Sequence, residues 1–559
     1  MSSPSLGADL VIVNGVVHAL DEHATRASNI AMKDGRIIAI GTHADDVASV
    51  IDDHTNIIDA QGGAVLPGFI ETHAHFQKEA ISRAYLLGID AFGGPTSVEG
   101  LLDLIRRRAA ETPVGDWIWV NGYVPATMPA GERRMPTRAE LDLVAPGHPA
   151  AVVGIPSVPT SANSIALERA GIDRDTTAPE GGFIERTTEG EITGILHGPA
   201  KLRLDPRNPA TVLPRFSPAE RAGPALDLIR SAVLTEGITS MHDMATEPDE
   251  VATWLLMRRE GTLPIRVQML MRGVGSRLAL EHLLAIGLSH GFGDEWLRIG
   301  GVKLSIDGID HFRDAATYEA YPGEPDNRGS VFIPQPVLDD AIAACHEAGV
   351  RVIVHAIGQR AVDMALDAFE RAFVLHGRKS WVRHRLEHAH LPPRPGQVDR
   401  IRRLGLSLGM QPIFLWAIGR DWIDIWGETN LNGIMPIRQM LAAGIPVFGG
   451  TDCFGMPISP LLSIKTAVTR RSRFGDTIAP NEAISMGDAV RMWTTFAARA
   501  AGEELEKGSL EIGKLGDVVV LSSDPFAMRD PAMLDEINVQ MTIVHGRIRH
   551  SNGELAAVV

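Results

Sequence analysis

Val65–Gln77 reads VLPGFIETHAHFQ, an apolar run that passes through Pro67-Gly68 and ends on two histidines one residue apart. Side chains of a β-strand alternate between its faces, so His73 and His75 point the same way. Two imidazoles on one side of a strand end are a ready pair of nitrogen ligands. A turn with two surface histidines would be spelled with the same letters. The rest of the chain has to decide between them.

Comparable apolar runs recur along the chain. "AVLPGFIETHAH", "GITSMHDM", "LPIRVQMLM", "LRIGGVKLSID", "VRVIVHAIG", "VRHRLEHAH", "GLSLGMQP" and "GIPVFGGTD" are eight strand-like stretches. Helical patterns such as "PVLDDAIAACHEAG" and "GQRAVDMALDAFERAF" lie between them. Eight such units are the number of a (β/α)8 barrel, so the expected fold class is α/β with a TIM-like barrel. From His75 to Gly237 the chain is longer than a single crossover helix needs. It carries strands of its own ("DWIWVNGYVP", "PAAVVGIPS") and a hairpin, "GFIERTTEGEITGIL". Residues 80–220 therefore read as a large insertion after barrel strand 1, placed to form a wall or lid over the site.

The chain ends follow a different pattern. "DLVIVNGVVHAL" reads as a hairpin around Asn14-Gly15, and "IAMKDGRIIAIG" as another around Asp34-Gly35. "DVVVLSSDP" and "QMTIVHGRIRH" are strand-like, the latter with a turn at His545-Gly546. The expected organisation is a small β-sandwich domain made of residues 1–62 and 506–559, and a barrel domain spanning 63–505. Two unrelated edge hairpins would be the alternative.

Composition excludes several classes of function. The chain has 559 residues, 45% of them apolar and 22% charged, which is globular and too long for one ordinary domain. Fifty-three basic against 69 acidic side chains leave −16, so no basic surface is supplied for nucleic acid or an anionic membrane. The two cysteines, Cys345 and Cys453, cannot build a disulfide framework, so a reducing, cytoplasmic setting is expected. The N-terminus lacks the charged and apolar regions of a signal peptide. No run of about 18 apolar residues offers a membrane span.

Polar residues gather where the strand runs end. His73 and His75 follow the first run, Lys303 lies in the fourth, His355 ends the fifth, His388 the sixth and Asp452 the eighth. Barrel chemistry collects at the C-terminal ends of strands. Singly, His355 reads as a satisfied core histidine and Asp452 as a helix cap. Together on one rim they would be costly to bury without a cation. Four imidazoles, a carboxylate and a lysine suit a Zn-like divalent metal.

With these stretches in place the chain resembles the amidohydrolase superfamily, and over nearly its whole length the YtcJ-like branch that includes N-substituted formamide deformylases. The resemblance rests on "LPGFIETHAH", "GITSMHD", "GVKLSIDG", "VHAIGQRAVDMALDA", "RHRLEHA", "MQP", "GTD", "AVTRR" and "GSLEIGKLGDVVVLSSDP". It implies a metal-dependent hydrolase with one or two divalent ions, Zn²⁺ foremost. His73 and His75 match the strand-1 ligands. Lys303 matches the lysine that takes up carbon dioxide as a carbamate and bridges two metals. His355 and His388 match the ligands of the second metal, and Asp452 matches the strand-8 aspartate that touches metal and handles the proton. One departure is visible. The branch often carries a histidine shortly before "NSxAL", whereas this chain reads "PSVPTSANSIAL", with Val158 or Pro159 in its place. That implies a more apolar pocket or a different substrate.

The expected mechanism follows from the ligands. A divalent metal lowers the pKa of bound water towards about 7, so hydroxide is present at neutral pH and attacks the polarised carbonyl. Asp452 accepts the water's proton and delivers it to the leaving nitrogen. A carbamate on Lys303 requires the neutral amine, which burial beside cations favours. An unmodified Lys303 paired with Asp307 or Asp310 is the alternative. Gln411, Trp416 and Asp307 are candidate substrate contacts. Trp416, Trp422 and Trp426 read either as core or as an aromatic wall. His242 reads as structural or as a support to the ligands, His390 as a loop histidine, and Cys453 as a buried filler. The expected partner is a small-molecule substrate of amide type, with no nucleic acid and no membrane, and the expected assembly is a homodimer. Three functions stay open: hydrolysis of a non-peptide C–N bond (an N-substituted formamide, an N-acyl amine or a cyclic amide), another metal-dependent reaction such as deamination or decarboxylation, and non-enzymatic binding.

Overall fold

A computed structural model describes residues 7–555 apart from 89–93, 96, 124, 126, 127, 129, 130, 154–158, 180, 181, 206–210, 275–279, 288 and 454. At its centre eight strands pair in sequential order: β1 (Phe69–Ala74), β2 (Ile238–Thr246), β3 (Arg266–Arg272), β4 (Leu297–Ser305), β5 (Val352–Ala356), β6 (Arg385–His388), β7 (Ser407–Met410) and β8 (Val447–Gly449). All their pairings are parallel. The ring closes just past β8, where Cys453 bridges Ala74 in parallel and the Asp452 N–H donates to the His73 carbonyl at 2.7 Å. Each of the eight runs read from the sequence supplies one barrel strand. Parallel strands covered on both faces carry apolar residues almost without interruption. Residues of β1, β2 and β7 are all buried. The helix Gln359–His376 supplies the matching outer layer by burying Ala361, Val362, Ala365, Leu366, Phe369 and Ala372 along one stripe.

The first run divides into two strands. Ala64–Pro67 pairs with Val16–His18 and Val518–Leu521, outside the barrel, although 63 onward was expected to be barrel. Gly68 is the joint between the two. A Cβ there would stand 2.3 Å from the Thr239 side chain, so only glycine lets the chain pass.

Strands from both chain ends form two sheets. One holds Leu10–Val13, Asn29–Lys33, Arg36–Gly41 and Asn56–Asp59. The other joins Val16–His18, Arg26–Ala27 and Ala64–Pro67 to Val518–Leu521, Val539–Val544 and Arg547–Ser551. A single apolar cluster draws Leu10, Ile12, Ile30 and Met32 from the first and Val17, Val65, Val518 and Met541 from the second, so the sheets pack face to face. The hairpins at Asp34-Gly35 and His545-Gly546 are present, with all four turn residues at positive φ. Asn14-Gly15 is not a hairpin. Leu10–Val13 pairs with Asn29–Lys33 and Asn56–Asp59, whereas Val16–His18 pairs in the other sheet. The turn at Asn14 (φ 54°) moves the chain between layers.

Within the expected insertion lies a third sheet, ordered Phe183–Arg186, Ile192–His197, Thr160–Ala162, Ala150–Val153, Ile118–Asn121 and Leu87–Gly88. Its strands sort residues by alternation. Ile118, Val120, Ala150 and Val152 enter one apolar cluster, and Trp119, Ala151 and Val153 enter another. Phe312, in the loop after β4, packs on the first cluster and so ties this sheet to the C-terminal side of the barrel. Among the described residues no helix is long and apolar enough to cross a membrane.

Candidate metal centre

The closure of the barrel brings the two ends of the sequence motif set together. His73, His75 and Asp452 offer ligand atoms that all lie within 4.8 Å of one another. Asp452 Oδ1 is 3.4 Å from His75 Nε2 and 3.6 Å from His73 Nε2. The other imidazoles close the rim: His73 and His388 have ring centroids 4.9 Å apart, and His388 and His355 4.4 Å. Two of these residues hold unusual backbone. His388 has φ 74° and Asp452 φ 53°, conformations that a non-glycine residue adopts only under constraint. At His388 the departure from strand geometry lets Glu387 and His388, consecutive in sequence, both make contacts with other site residues.

Three of the four imidazoles are anchored through Nδ1. His73 Nδ1–H donates to Glu387 Oε2 (2.7 Å), His75 Nδ1–H to the Met244 carbonyl (3.1 Å) and His388 Nδ1–H to Gln411 Oε1 (2.7 Å). Each anchor leaves the Nε2 lone pair available as a ligand. Burial first, then neighbouring cations or imidazoles, holds His73, His75 and His388 well below the ordinary histidine range, and burial pushes His355 down to about 3. They are neutral at physiological pH, the state in which imidazole binds metal.

Lys303, inside β4, is buried, and among the described residues its Nζ has no hydrogen-bond partner; His355 Nε2 has none either, its carboxylate neighbour Asp307 Oδ1 standing 3.6 Å away. Pairing of Lys303 with Asp307 or Asp310 is thus not made. Burial draws its amine down to about 8, opposed by Glu387 and Asp452. Burial likewise pushes Asp452 up to about 6, opposed by Lys303. Neutral imidazoles, a carboxylate and orphaned buried nitrogens on one rim fit a divalent cation, which would satisfy groups that the chain itself does not.

Residues 56–550 match the amidohydrolase family. The chain belongs to that family. It is 28% identical over 553 residues to the N-substituted formamide deformylase of Arthrobacter pascens, covering 97% of this chain and 98% of the relative. A metal-dependent hydrolase of Pyrococcus horikoshii superposes with a TM-score of 0.72 at 23% identity, over 93% of this chain and 98% of that one. Atrazine chlorohydrolase TrzN of Arthrobacter aurescens TC1, in complex with zinc, superposes with a TM-score of 0.52 at 16% identity, over 97% and 96%.

Not every candidate of this amidohydrolase-family chain lies where the sequence suggested. Asp307 serves the scaffold, its carboxyl accepting backbone N–H groups of Ala316, Ile357 and Gly358 at 2.8–3.0 Å, while its Oδ1 stands 3.6 Å from His355 Nε2. Gln411 is buried and its carbonyl orients His388, so it acts through that imidazole. Trp416 is half-buried against the barrel core, Trp422 is fully buried, and Trp426 meets Tyr321. His390 is in the loop after β6, as expected, but not on the surface. It is buried, and its Nε2 is 2.7 Å from Asp310 Oδ2. His242 is buried and bonds Arg385 through Nδ1 at 3.1 Å. Cys453 is buried, and burial raises its thiol well above the usual range, consistent with an inert filler. Val158 lies outside the described residues.

Two buried carboxyls went unread in the sequence. Glu71 accepts the N–H of His73 (2.8 Å) and the N–H and hydroxyl of Thr451 (3.0 and 2.7 Å), tying β1 to the segment after β8. Burial pushes it up to about 8, so it is protonated at neutral pH. Glu387 holds His73 and is paired with Arg385. A signal for Glu71 existed: Glu71, His73 and His75 alternate along one strand.

Proposed function

We propose that the chain is a metal-dependent hydrolase of a C–N bond other than a peptide bond, with an N-substituted formamide, an N-acyl amine or a cyclic amide as substrate. The observation that carries this reading is the convergence of His73, His75 and Asp452 ligand atoms beside neutral His355, His388 and a buried Lys303 whose Nζ has no hydrogen-bond partner among the described residues. Family membership and the deformylase likeness over nearly the full length support it. A divalent cation held there, Zn²⁺ in this proposal, supplies Lewis-acid polarisation of a carbonyl and acidifies water at neutral pH.

The chain's own residues do the rest. Asp452 Oδ1 takes the proton of the attacking water and returns it to the departing nitrogen. A carboxyl near 6 can do both close to neutrality. The C–O bond forms and the C–N bond breaks: an acyclic amide leaves as an acid and an amine, and a cyclic amide as one ring-opened amino acid. Lys303, with its amine drawn down to about 8, gives up little by reacting with carbon dioxide: Nζ bonds the carbon and one N–H proton departs. As a carbamate, Lys303 would present carboxylate-type oxygens with which to hold a divalent ion, in place of a repelling ammonium. Product analysis on a panel of formamides, N-acyl amines and cyclic amides tests the reading. The expected products are an acid and an amine from the acyclic amides and a ring-opened amino acid from a cyclic amide. Ammonia or carbon dioxide would instead identify a deaminase or a decarboxylase.

A further inference from the structure

The anchors of the rim imidazoles are chemically unequal. His75 rests on a backbone carbonyl and His388 on an amide carbonyl, both neutral acceptors. His73 alone of these three rests on a carboxylate. Glu387 is fully buried, with Oε2 2.7 Å from His73 Nδ1 and Oε1 2.9 Å from Arg385 Nε. Arg385 is itself held, by the Thr72 carbonyl and His242 Nδ1, both at 3.1 Å, and by the Phe448 ring face, 4.4 Å away. Room for this carboxylate is built in on β7. A Cβ on Gly409 would lie 2.1 Å from Glu387 Oε2.

We propose that Glu387, held by Arg385, is a positioning residue that locks His73 in its Nδ1–H tautomer and thereby sets the metal affinity of the His73–His75–Asp452 cluster. A carboxylate acceptor admits only the tautomer whose Nδ1 carries the hydrogen. The Nε2 lone pair then faces Asp452. The charge-assisted bond to Nδ1 also strengthens the Nε2 lone pair of His73 as a donor. A carboxamide in the same place can donate to Nδ1 and so favour the opposite tautomer, with Nε2–H turned towards the ion. This inference rests on the metal-centre reading above.

The test is Zn²⁺ titration of the chelator-stripped full chain, with circular dichroism to confirm the fold and the visible spectrum of the Co²⁺-loaded form. Glu387→Gln should weaken Zn²⁺ by about 10–100-fold and change the Co²⁺ bands. Glu387→Asp keeps the charge beside Arg385 but withdraws the acceptor, and should fall between wild type and Glu387→Gln. A purely structural role would lower the unfolding midpoint and leave affinity and spectrum unchanged, which overturns the proposal. If Glu387→Gln does not fold, Glu387→Asp decides alone, since wild-type affinity in that variant is equally contrary. Failure of the wild-type chain to bind Zn²⁺ would instead overturn the metal-centre reading.

Discussion

Asn163 and Lys303 are both buried, one capping the helix Ser164–Ala170 that follows the strand Thr160–Ala162 and the other in the barrel, and their polar atoms are treated in opposite ways. Asn163 makes every bond it can. Its carbonyl accepts the N–H groups of Ala150 and Ala166 at 2.9 and 3.0 Å, and its amide donates to the carbonyls of Ala145 and His148 at 3.3 and 2.8 Å. Among the described residues Lys303 Nζ makes none, and neither does His355 Nε2. A buried polar group with complete bonding is architecture. Buried groups left open together, beside residues at strained φ, mark the place where something else must bind.

That contrast can be broken in order of effect. Prolonged chelation should abolish turnover and leave the Asn163 region folded, with Zn²⁺ restoring activity; a stripped, active chain would end the distinction. Asp452→Asn should lower kcat by about 10²–10⁴-fold with the unfolding midpoint little changed. A near-normal kcat would show that the proton is handled elsewhere. Asn163→Ala removes a helix cap and orphans a buried N–H, so urea denaturation should show a loss of about 3 kcal/mol, with metal content unchanged. Wild-type stability in that variant would show that complete bonding is no guide to architecture.

A pH-dependent effect separates titrating from non-titrating groups. Glu71 is raised by burial from 4.5 to about 8, so the folded chain binds its proton more tightly than the unfolded chain does. Its contribution is therefore fully present below its unfolded pKa and is lost as pH rises through about 8. The midpoint of the metal-free Glu71→Gln variant, minus that of wild type, should become more positive from acid to mildly alkaline pH. The Asn163→Ala difference should stay flat over the same range. Parallel differences would contradict the assignment.

Much of this molecule is legible in its amino-acid sequence, for identifiable reasons. Barrel strands buried on both faces read as apolar runs, and a histidine or aspartate at the end of such a run stands out. The missed features are those that one strand cannot report. Asn14-Gly15 announces a turn but not which sheet the next strand joins. The split at Gly68 depends on Thr239, distant in sequence and met only in the fold. Glu387 and Arg385 resemble ordinary surface charges until β6 is seen inside the ring, where each has the other as its partner. His390 looks like loop polarity until Asp310 is placed against it.

The central claim is that the open rim groups hold a divalent ion. Elemental analysis of the purified full-length chain, expressed with Zn²⁺ in the medium, tests it most directly. At least one divalent ion per chain is expected, with loss of metal in the double variant His73→Asn/His75→Asn. A wild-type chain that carries no metal and still turns over its substrate at full rate would contradict it.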